Sequence, residues 1–312
     1  MTIYVDAPLT PDQKELLRSS APDEAFVFRD ELAGEEQYNA LLKADVLLGN
    51  PRPVEWLKAA RNLKWIQLYS TGFEYYSGIQ LPAVVTNMRD YYSEPCAETM
   101  IAGIMALYRG MDALAVLKKE KQWVGPPIRQ QLQLLHRKKV IILGTGNIGR
   151  RVAKILSGFD AEIIFFGRTA PDALLRSPEE LLQKISWADI IIACLPGTDE
   201  TRGLFTRDMI SRMNKGALFC NVGRGNLLAD EDALAEALAS HTIGGAVLDV
   251  TAAEPLPAGS KLWNCPNTIL SQHSGGGQLA EIEGILELFL ENLKRYKSGQ
   301  PLKNQVHFDR GY

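Results

Sequence analysis

The chain has 312 residues, 46% of them hydrophobic and 23% charged, which excludes a disordered or fibrous protein and fits two domains or one large barrel. Its 34 basic and 37 acidic side chains give a net charge of −3, and no block of like charge indicates a nucleic-acid surface. We find no signal peptide, no apolar run long enough for a membrane span and no paired cysteines among the four, so we expect a cytoplasmic protein with reduced cysteines and no metal site.

The first 90 residues alternate predicted strands with predicted helices. Thr10 has the features of a helix cap, since Pro11 follows it and Gln13 stands three residues later. A second helix is predicted at 35–44. Strands are predicted at 3–5, 25–28, 45–48, 65–69 and 84–87. This alternation is typical of a parallel sheet with helices on both faces.

A long helix is predicted next, at about 97–117. Its first half is apolar on more than one side, so we expect it to be buried between domains. The connector at 122–135 has no clear pattern, and alternation then resumes. Strands are predicted at 139–143, 161–166, 189–193, 217–221, 244–247 and 268–270. A final helix at about 279–296 is expected to cross back to the first domain.

A glycine-rich turn follows the strand at 139–143. Gly144 permits the tight turn, Gly146 lets the backbone approach a pyrophosphate, and Gly149 allows the next helix to pack closely. The helix begins near Asn147, where free N–H groups favour phosphate. The alternative is an ordinary strand–turn–helix. The residues expected to contact a dinucleotide here are Gly144, Thr145, Gly146, Asn147, Ile148 and Gly149.

The end of the next strand predicts which dinucleotide is bound. Enzymes that use NAD place a carboxylate there to bind the adenosine ribose. The strand at 161–166 is instead followed by Gly167, Arg168 and Thr169. Arg168 can form a forked pair with a 2′-phosphate, and Thr169 can donate its hydroxyl. NADP(H) is therefore the expected cofactor. The alternatives are that the cofactor is NAD(H) and that Arg168 is an ordinary exposed loop arginine.

Three ionisable residues follow the last strands. Arg224 lies between two glycines, Glu254 precedes a proline, and His273 precedes Ser274 and two glycines. Each alone has an ordinary explanation as a surface ion pair, a turn residue or a loop histidine. Because the carboxyl ends of parallel strands share one edge, the three together indicate a site.

These stretches carry a resemblance to the D-isomer-specific 2-hydroxyacid dehydrogenase family. The matching segments are 144–149, 195–198, 201–203, 221–225, 249–257 and 262–276. The family often has proline before the histidine, where this chain has Gln272, and an NAD-selecting aspartate that this chain lacks.

The resemblance implies a role for each matching residue. Arg224, Glu254 and His273 would be the catalytic residues. Ser70, Thr71 and Gly72 would form the loop whose amides hold the substrate carboxylate, together with Arg224 and His273. The further residues implied to contact the cofactor are Leu195, Pro196, Thr201, Val222, Gly223, Asp249, His273 and Gly275.

The residue types then predict a reaction. A nicotinamide would supply hydride to a 2-oxo acid such as glyoxylate or hydroxypyruvate, and His273 would protonate the oxygen. Glu254 would orient the ring, while Arg224 would bind the carboxylate and polarise the carbonyl. One alternative is an NAD-dependent, phosphoglycerate dehydrogenase-like enzyme, for which Arg52 or Arg61 would have to bind a phosphate. Another is a corepressor-like protein that senses dinucleotides.

The expected architecture is α/β, with two doubly wound parallel sheets. A Rossmann cofactor domain (100–284) is inserted in a flavodoxin-like substrate domain (1–99 and 285–312). The apolar helix that begins near Ala97 resembles the dimer-forming segment of the family. We therefore expect a homodimer that acts on small molecules and has no nucleic-acid or membrane partner.

Overall fold

A computed structural model describes residues 1–51, 53–76, 79, 81, 83–306 and 308, with the backbone alone at Glu74. The packing of Cα atoms divides the chain into two compact units. The first comprises Met1–Tyr91 and Gln278–Tyr312, and the second is Tyr92–Gly277.

The first unit contains a parallel sheet with the strand order β2-β1-β3-β4-β5. This is the flavodoxin-like order. The strands of this unit are β1 (Thr2–Asp6), β2 (Ala25–Phe28), β3 (Val46–Gly49), β4 (Trp65–Gln67) and β5 (Val84–Thr86). Its helices are α1 (Pro11–Ser20), α2 (Glu35–Lys43), α3 (Trp56–Ala59) and α11 (Glu281–Lys297).

The second unit contains a larger parallel sheet, ordered β12-β11-β10-β9-β6-β7-β8. Its strands are β6 (Lys139–Leu143), β7 (Glu162–Phe166), β8 (Ala173–Leu175), β9 (Ile190–Ala193), β10 (Leu218–Asn221), β11 (Gly245–Leu248) and β12 (Thr268–Leu270). Its helices are α4 (Ser93–Tyr108), α5 (Met111–Glu120), α6 (Pro126–Arg129), α7 (Asn147–Ser157), α8 (Pro178–Lys184), α9 (Arg207–Ser211) and α10 (Glu231–Ala239). The order reverses at β6, as in a Rossmann fold. The predicted α/β class with two doubly wound parallel sheets is confirmed.

The central strands of the second sheet are buried and apolar except for Asn221 at the end of β10. All four residues of β9, of β10 and of β11 are buried. Strands with helices over both faces have no solvent-facing side, which is why they do not alternate between apolar and polar residues. This rigid sheet fixes the positions of the loops that leave its carboxyl edge.

The prediction of one helix over 97–117 is wrong. The chain forms α4, which begins earlier at Ser93, and α5, and the two are bent by 65°. Gly110 between them has φ 62°, a left-handed conformation that glycine adopts without steric cost and that ends a helix. Among the described residues no single helix is long and apolar enough to cross a membrane; only α4 and α5 taken together would meet that criterion.

The final helix returns the chain to the first unit, as expected. Within this unit, the ring of Phe289 stacks on Trp65 of β4 at 5.2 Å between centroids. Buried Asn292 donates a hydrogen bond to Gln67 at 3.1 Å. The helix begins at Glu281 rather than at 279, because Ala280 is left-handed with φ 58°.

Candidate active site

Three candidate residues follow neighbouring strands of the second sheet. Arg224 comes after β10, Glu254 lies in the segment after β11, and His273 comes after β12. β11 pairs in parallel with both β10 and β12, so the three strands end at the same edge. Open α/β sheets bind their ligands at this edge.

Glu254 and His273 form a hydrogen-bonded pair. Nδ1 of His273 lies 2.6 Å from Oε2 of Glu254. The other carboxylate oxygen accepts a hydrogen bond from the backbone N–H of Thr251 at 3.0 Å. The imidazole is 55% exposed, and within the described part of the chain Nε2 has no hydrogen-bond partner. The carboxylate therefore orients the ring through Nδ1 and leaves Nε2 for a ligand.

The turn that carries His273 is held by Asp249. Gln272 and His273 both have left-handed backbones, with φ of 57° and 55°. The carbonyl of Asp249 accepts the N–H of His273 at 2.6 Å. Its carboxylate accepts the N–H of Gly275 at 2.9 Å and the hydroxyl of Ser271 at 2.7 Å. Asp249, predicted to contact the cofactor, is 4% exposed and binds both sides of this turn.

Arg224 lies between two closely packed glycines. A Cβ at Gly225 would collide with the carbonyl oxygen of Thr251. Thr251 also donates its N–H to Glu254, so this contact brings the arginine turn against the segment that holds Glu254. Nη1 of Arg224 donates to the carbonyl of Gly223 at 2.8 Å. The structure thus brings all three predicted catalytic residues to one region of the second unit.

The sequence analysis did not identify Asn221 as a site residue. Its side chain is fully buried at the end of β10. Nδ2 donates to the carbonyl of Arg224 at 3.0 Å, and Oδ1 accepts the N–H of Gly223 at 3.0 Å. An amide that ends an apolar strand just before a glycine-flanked arginine was the available signal. Val222, predicted to contact the cofactor, packs in the hydrophobic core.

The glycine-rich turn has the geometry that a dinucleotide requires. Gly144 has φ 115°, and a Cβ there would be 3.1 Å from the carbonyl of Cys194. A Cβ at Gly149 would collide with the carbonyl of Gly144, whereas a Cβ at Gly146 would meet no atom within 4 Å. The first and third glycines are therefore needed for packing, and the second faces open space at the start of α7, where no side chain caps the helix. This open helix N-terminus fits a pyrophosphate.

The loop after β7 lies next to that turn. A Cβ at Gly167 would be 2.9 Å from Thr145, so the strand end is close to the phosphate turn. Arg168 is exposed and forms an ion pair with Glu200. Its backbone carbonyl accepts a hydrogen bond from Nη1 of Arg176 at 2.9 Å. No carboxylate occupies positions 167–169.

The segment after β9, predicted to contact the cofactor, is a compact turn. The hydroxyl of Thr201 donates to the carbonyl of Pro196 at 2.5 Å and accepts the N–H of Thr198 at 2.9 Å. Leu195 packs against the core of the second unit. Thr201 therefore fixes the shape of this loop.

The predicted substrate loop lies in the first unit, directly after β4. The hydroxyl of Ser70 donates to the carbonyl of Gly72 at 2.7 Å, and that of Thr71 to the carbonyl of Arg89 at 3.1 Å. Asn87 donates to the carbonyl of Thr71 at 2.7 Å. These bonds hold the loop in one shape.

A cavity of about 450 Å³ opens at the carboxyl edge of the five-stranded sheet. There Nη1 of Arg29 donates to both carboxylate oxygens of Asp6, at 2.9 and 3.0 Å. Burial raises the pKa of Asp6, and the Arg29 guanidinium opposes this shift. Of the two arginines considered for a substrate phosphate, Arg61 is exposed, and Arg52 lies outside the described residues.

The four cysteines are free thiols. Burial raises the pKa of Cys96 to about 12 and also raises the pKa of Cys194 and of Cys220. Among the described residues, no group of three or more His, Cys, Asp or Glu side chains could hold a metal ion.

Comparisons with known proteins match this geometry. The family model described as D-isomer specific 2-hydroxyacid dehydrogenase, NAD binding domain, matches residues 101–275. A glyoxylate reductase from Thermofilum pendens is 30% identical over 270 residues, which cover 81% of this chain and 78% of the relative. Glyoxylate/hydroxypyruvate reductase B from Pectobacterium carotovorum is 29% identical over 279 residues, which cover 86% and 87%. The crystal structure of a D-isomer specific 2-hydroxyacid dehydrogenase family protein from Aeromonas salmonicida aligns over 99% of both chains, with a TM-score of 0.84 and 28% identity.

Proposed function

Because the chain belongs to the D-isomer specific 2-hydroxyacid dehydrogenase family, whose members are NAD(P)-dependent enzymes, we propose that it reduces a small 2-oxo acid to the D-2-hydroxy acid with NADPH. The observation that carries this proposal is the Glu254–His273 pair at the sheet edge that also bears Arg224 and the glycine-rich turn. Relatives named glyoxylate reductase and glyoxylate/hydroxypyruvate reductase support glyoxylate or hydroxypyruvate as the substrate.

His273 is the proton donor in this proposal. Glu254 engages Nδ1 at 2.6 Å, so Nε2 is the nitrogen that donates to the oxygen of the substrate carbonyl. Reduction turns that oxygen into a hydroxyl and therefore consumes one proton. The carboxylate at Nδ1 orients the ring, so that the proton is donated from Nε2. General acids of this kind contribute about 10²- to 10⁴-fold to the rate.

Arg224 binds the carboxylate of the substrate and polarises the substrate's 2-oxo carbonyl group. Guanidinium groups match carboxylates with two parallel hydrogen bonds, and negative charge develops on the carbonyl oxygen during reduction. Asn221 acts as a positioning residue, since its amide binds both the backbone N–H of Gly223 and the backbone carbonyl of Arg224. The role of Ser70, Thr71 and Gly72 in holding the substrate carboxylate stays a prediction from the family resemblance.

NADPH is the proposed cofactor, and when bound its reduced nicotinamide supplies the hydride. The glycine-rich turn and the N-terminus of α7 would hold the pyrophosphate. Arg168 would bind the 2′-phosphate of the adenosine ribose, with Thr169 beside it. The absence of a carboxylate at this strand end supports NADPH over NADH.

A matched pair of histidine variants tests the reaction. His273 and His241 both have φ 55°, a conformation that asparagine tolerates, so His273→Asn and His241→Asn make the same change at two positions with the same φ. We expect His273→Asn to lower kcat for glyoxylate and hydroxypyruvate with NADPH by about 10²- to 10⁴-fold, and His241→Asn to leave it unchanged. Undiminished turnover in His273→Asn, or no turnover of any 2-oxo acid by the unaltered chain, would overturn the proposal.

We also propose a homodimer in a reducing, cytoplasmic compartment. Apolar side chains on α5 and after it are exposed, as an interface between copies would require. They include Met111, Leu114, Val116, Trp123 and Val124. The free thiols support the compartment. Light scattering on the purified protein would distinguish one copy from two.

A further inference from the structure

The end of β7 contains an ion pair that the proposed function does not use. Arg168 extends from the loop after β7, and Glu200 lies in the loop after β9. Their side chains form a salt bridge although 54% of the arginine and 61% of the glutamate are exposed. The guanidinium that we assign to the 2′-phosphate therefore has an anionic partner within the protein.

The other charges of this loop have different partners. Arg150 holds Asp172 through two hydrogen bonds of 2.8 and 3.0 Å. Arg176 donates to the carbonyls of Arg168 and Ala170 at 2.9 and 3.0 Å, and no carboxylate among the described residues forms an ion pair with its guanidinium. Asp172 is thus occupied by Arg150, and Arg176 fixes the backbone from which Arg168 extends. Glu200 is the carboxylate that competes for Arg168.

Of NADPH and NADH, only NADPH requires the Arg168 guanidinium to be released from Glu200. A phosphate monoester carries a charge of about −1.5 to −2 at neutral pH and binds arginine through a fork of two hydrogen bonds. It must displace the Glu200 carboxylate, which then remains nearby and repels it. An unphosphorylated ribose requires neither step. The Glu200 carboxylate therefore weakens binding of the phosphorylated nucleotide selectively.

We propose that Glu200 is a specificity-determining residue that limits the preference for a 2′-phosphorylated adenosine ribose by holding the Arg168 guanidinium. This inference rests on the proposed placement of the adenosine ribose at Arg168. It assigns to the loop after β9 an electrostatic role in choosing the cofactor. Arg168 attracts the 2′-phosphate, and the ion pair with Glu200 reduces that attraction.

The experiment compares two adenosine nucleotides that differ in the 2′-phosphate. Calorimetry would give Kd for 2′,5′-ADP and for 5′-AMP with the unaltered chain, Glu200→Gln and Asp199→Asn. Asp199 is the adjacent exposed carboxylate, and its variant changes the net charge equally without touching the ion pair. Exposed pairs are worth little, so we expect Glu200→Gln to tighten 2′,5′-ADP by about two- to five-fold, to leave 5′-AMP unchanged, and to exceed the effect of Asp199→Asn.

Each result decides one question. Equal effects of the two substitutions would mean that net charge and not the ion pair acts on the phosphate, and would overturn the assignment of Glu200. Unchanged binding of 2′,5′-ADP by Glu200→Gln would overturn it as well. If the unaltered chain binds 5′-AMP as tightly as 2′,5′-ADP, the proposed NADPH preference fails. The difference between the two variants still decides the role of Glu200 in that case.

Discussion

Replacing Asp249 by alanine tests whether the Asp249 carboxylate holds the turn that carries His273. The substitution removes the carboxylate that accepts the N–H of Gly275 and the hydroxyl of Ser271. The Gly275 N–H is buried, and leaving such a donor without a partner costs about 1–3 kcal/mol. Ser271 is half-buried, so its hydroxyl can turn to water at little cost. We therefore expect a loss of about 2 kcal/mol in the free energy of unfolding.

That loss has a thermal and a kinetic consequence. About 2 kcal/mol corresponds to a Tm lower by about 4–8 °C for a domain of this size. Activity with NADPH and glyoxylate should fall as well, because the alanine variant no longer clamps both sides of His273. Asp249→Asn is the matched control, since an amide oxygen can accept the same two hydrogen bonds. If the alanine and asparagine variants have the same Tm in calorimetric scans and the same kcat, the hydrogen bonds of the Asp249 carboxylate do not hold the turn.

Three further outcomes follow from local geometry. Gly225→Ala places a Cβ against the carbonyl of Thr251 and should abolish turnover, whereas Gly259→Ala, which meets no neighbour within 4 Å, should retain it in the same assay. Gln272→Pro should inactivate the enzyme, because proline cannot adopt φ 57°; retained kcat would refute this backbone. With Ellman's reagent at pH 8, the native protein should react faster at the partly exposed Cys265 than at the other three thiols, since burial raises the pKa of Cys265 less than it raises the pKa of Cys96, Cys194 and Cys220, and four thiols should react in denaturant.

The fold and most of the site could be predicted because they depend on local patterns. Continuous apolar runs of four to six residues bounded by glycine or polar residues indicate buried parallel strands, and the structure places β9 and β10 in such runs. The spacing of Gly144, Gly146 and Gly149 indicates a dinucleotide turn, and in the structure Gly144 and Gly149 have close neighbours whereas Gly146 faces open space. Arg224, Glu254 and His273 were predicted because each directly follows or soon follows a strand end.

The features that could not be predicted depend on contacts between distant parts of the chain. Arg168 and Glu200 are joined only because β7 and the loop after β9 emerge at the same sheet edge. The hydrogen bonds of the Asp249 carboxylate to Gly275 and Ser271 likewise had no signal in the sequence. The break at Gly110 had a local signal, a single glycine inside the predicted helix, which the prediction of one helix did not take into account.

The residue at position 272 must adopt a backbone conformation that the contacts of Asp249 hold in place. Left-handed backbones cost non-glycine residues about 1–2 kcal/mol each, and here two such residues are consecutive, Gln272 and His273. The conformation persists because Asp249 binds the turn at His273 through its carbonyl and at Gly275 through its carboxylate. A chain with proline at position 272 would have to reach the Glu254 pair along a different backbone path. Gln272 is therefore not a neutral replacement for the proline that is frequent in the family. In this protein the position of His273 depends both on the hydrogen bonds of Asp249 and on a residue at 272 that can adopt a left-handed backbone.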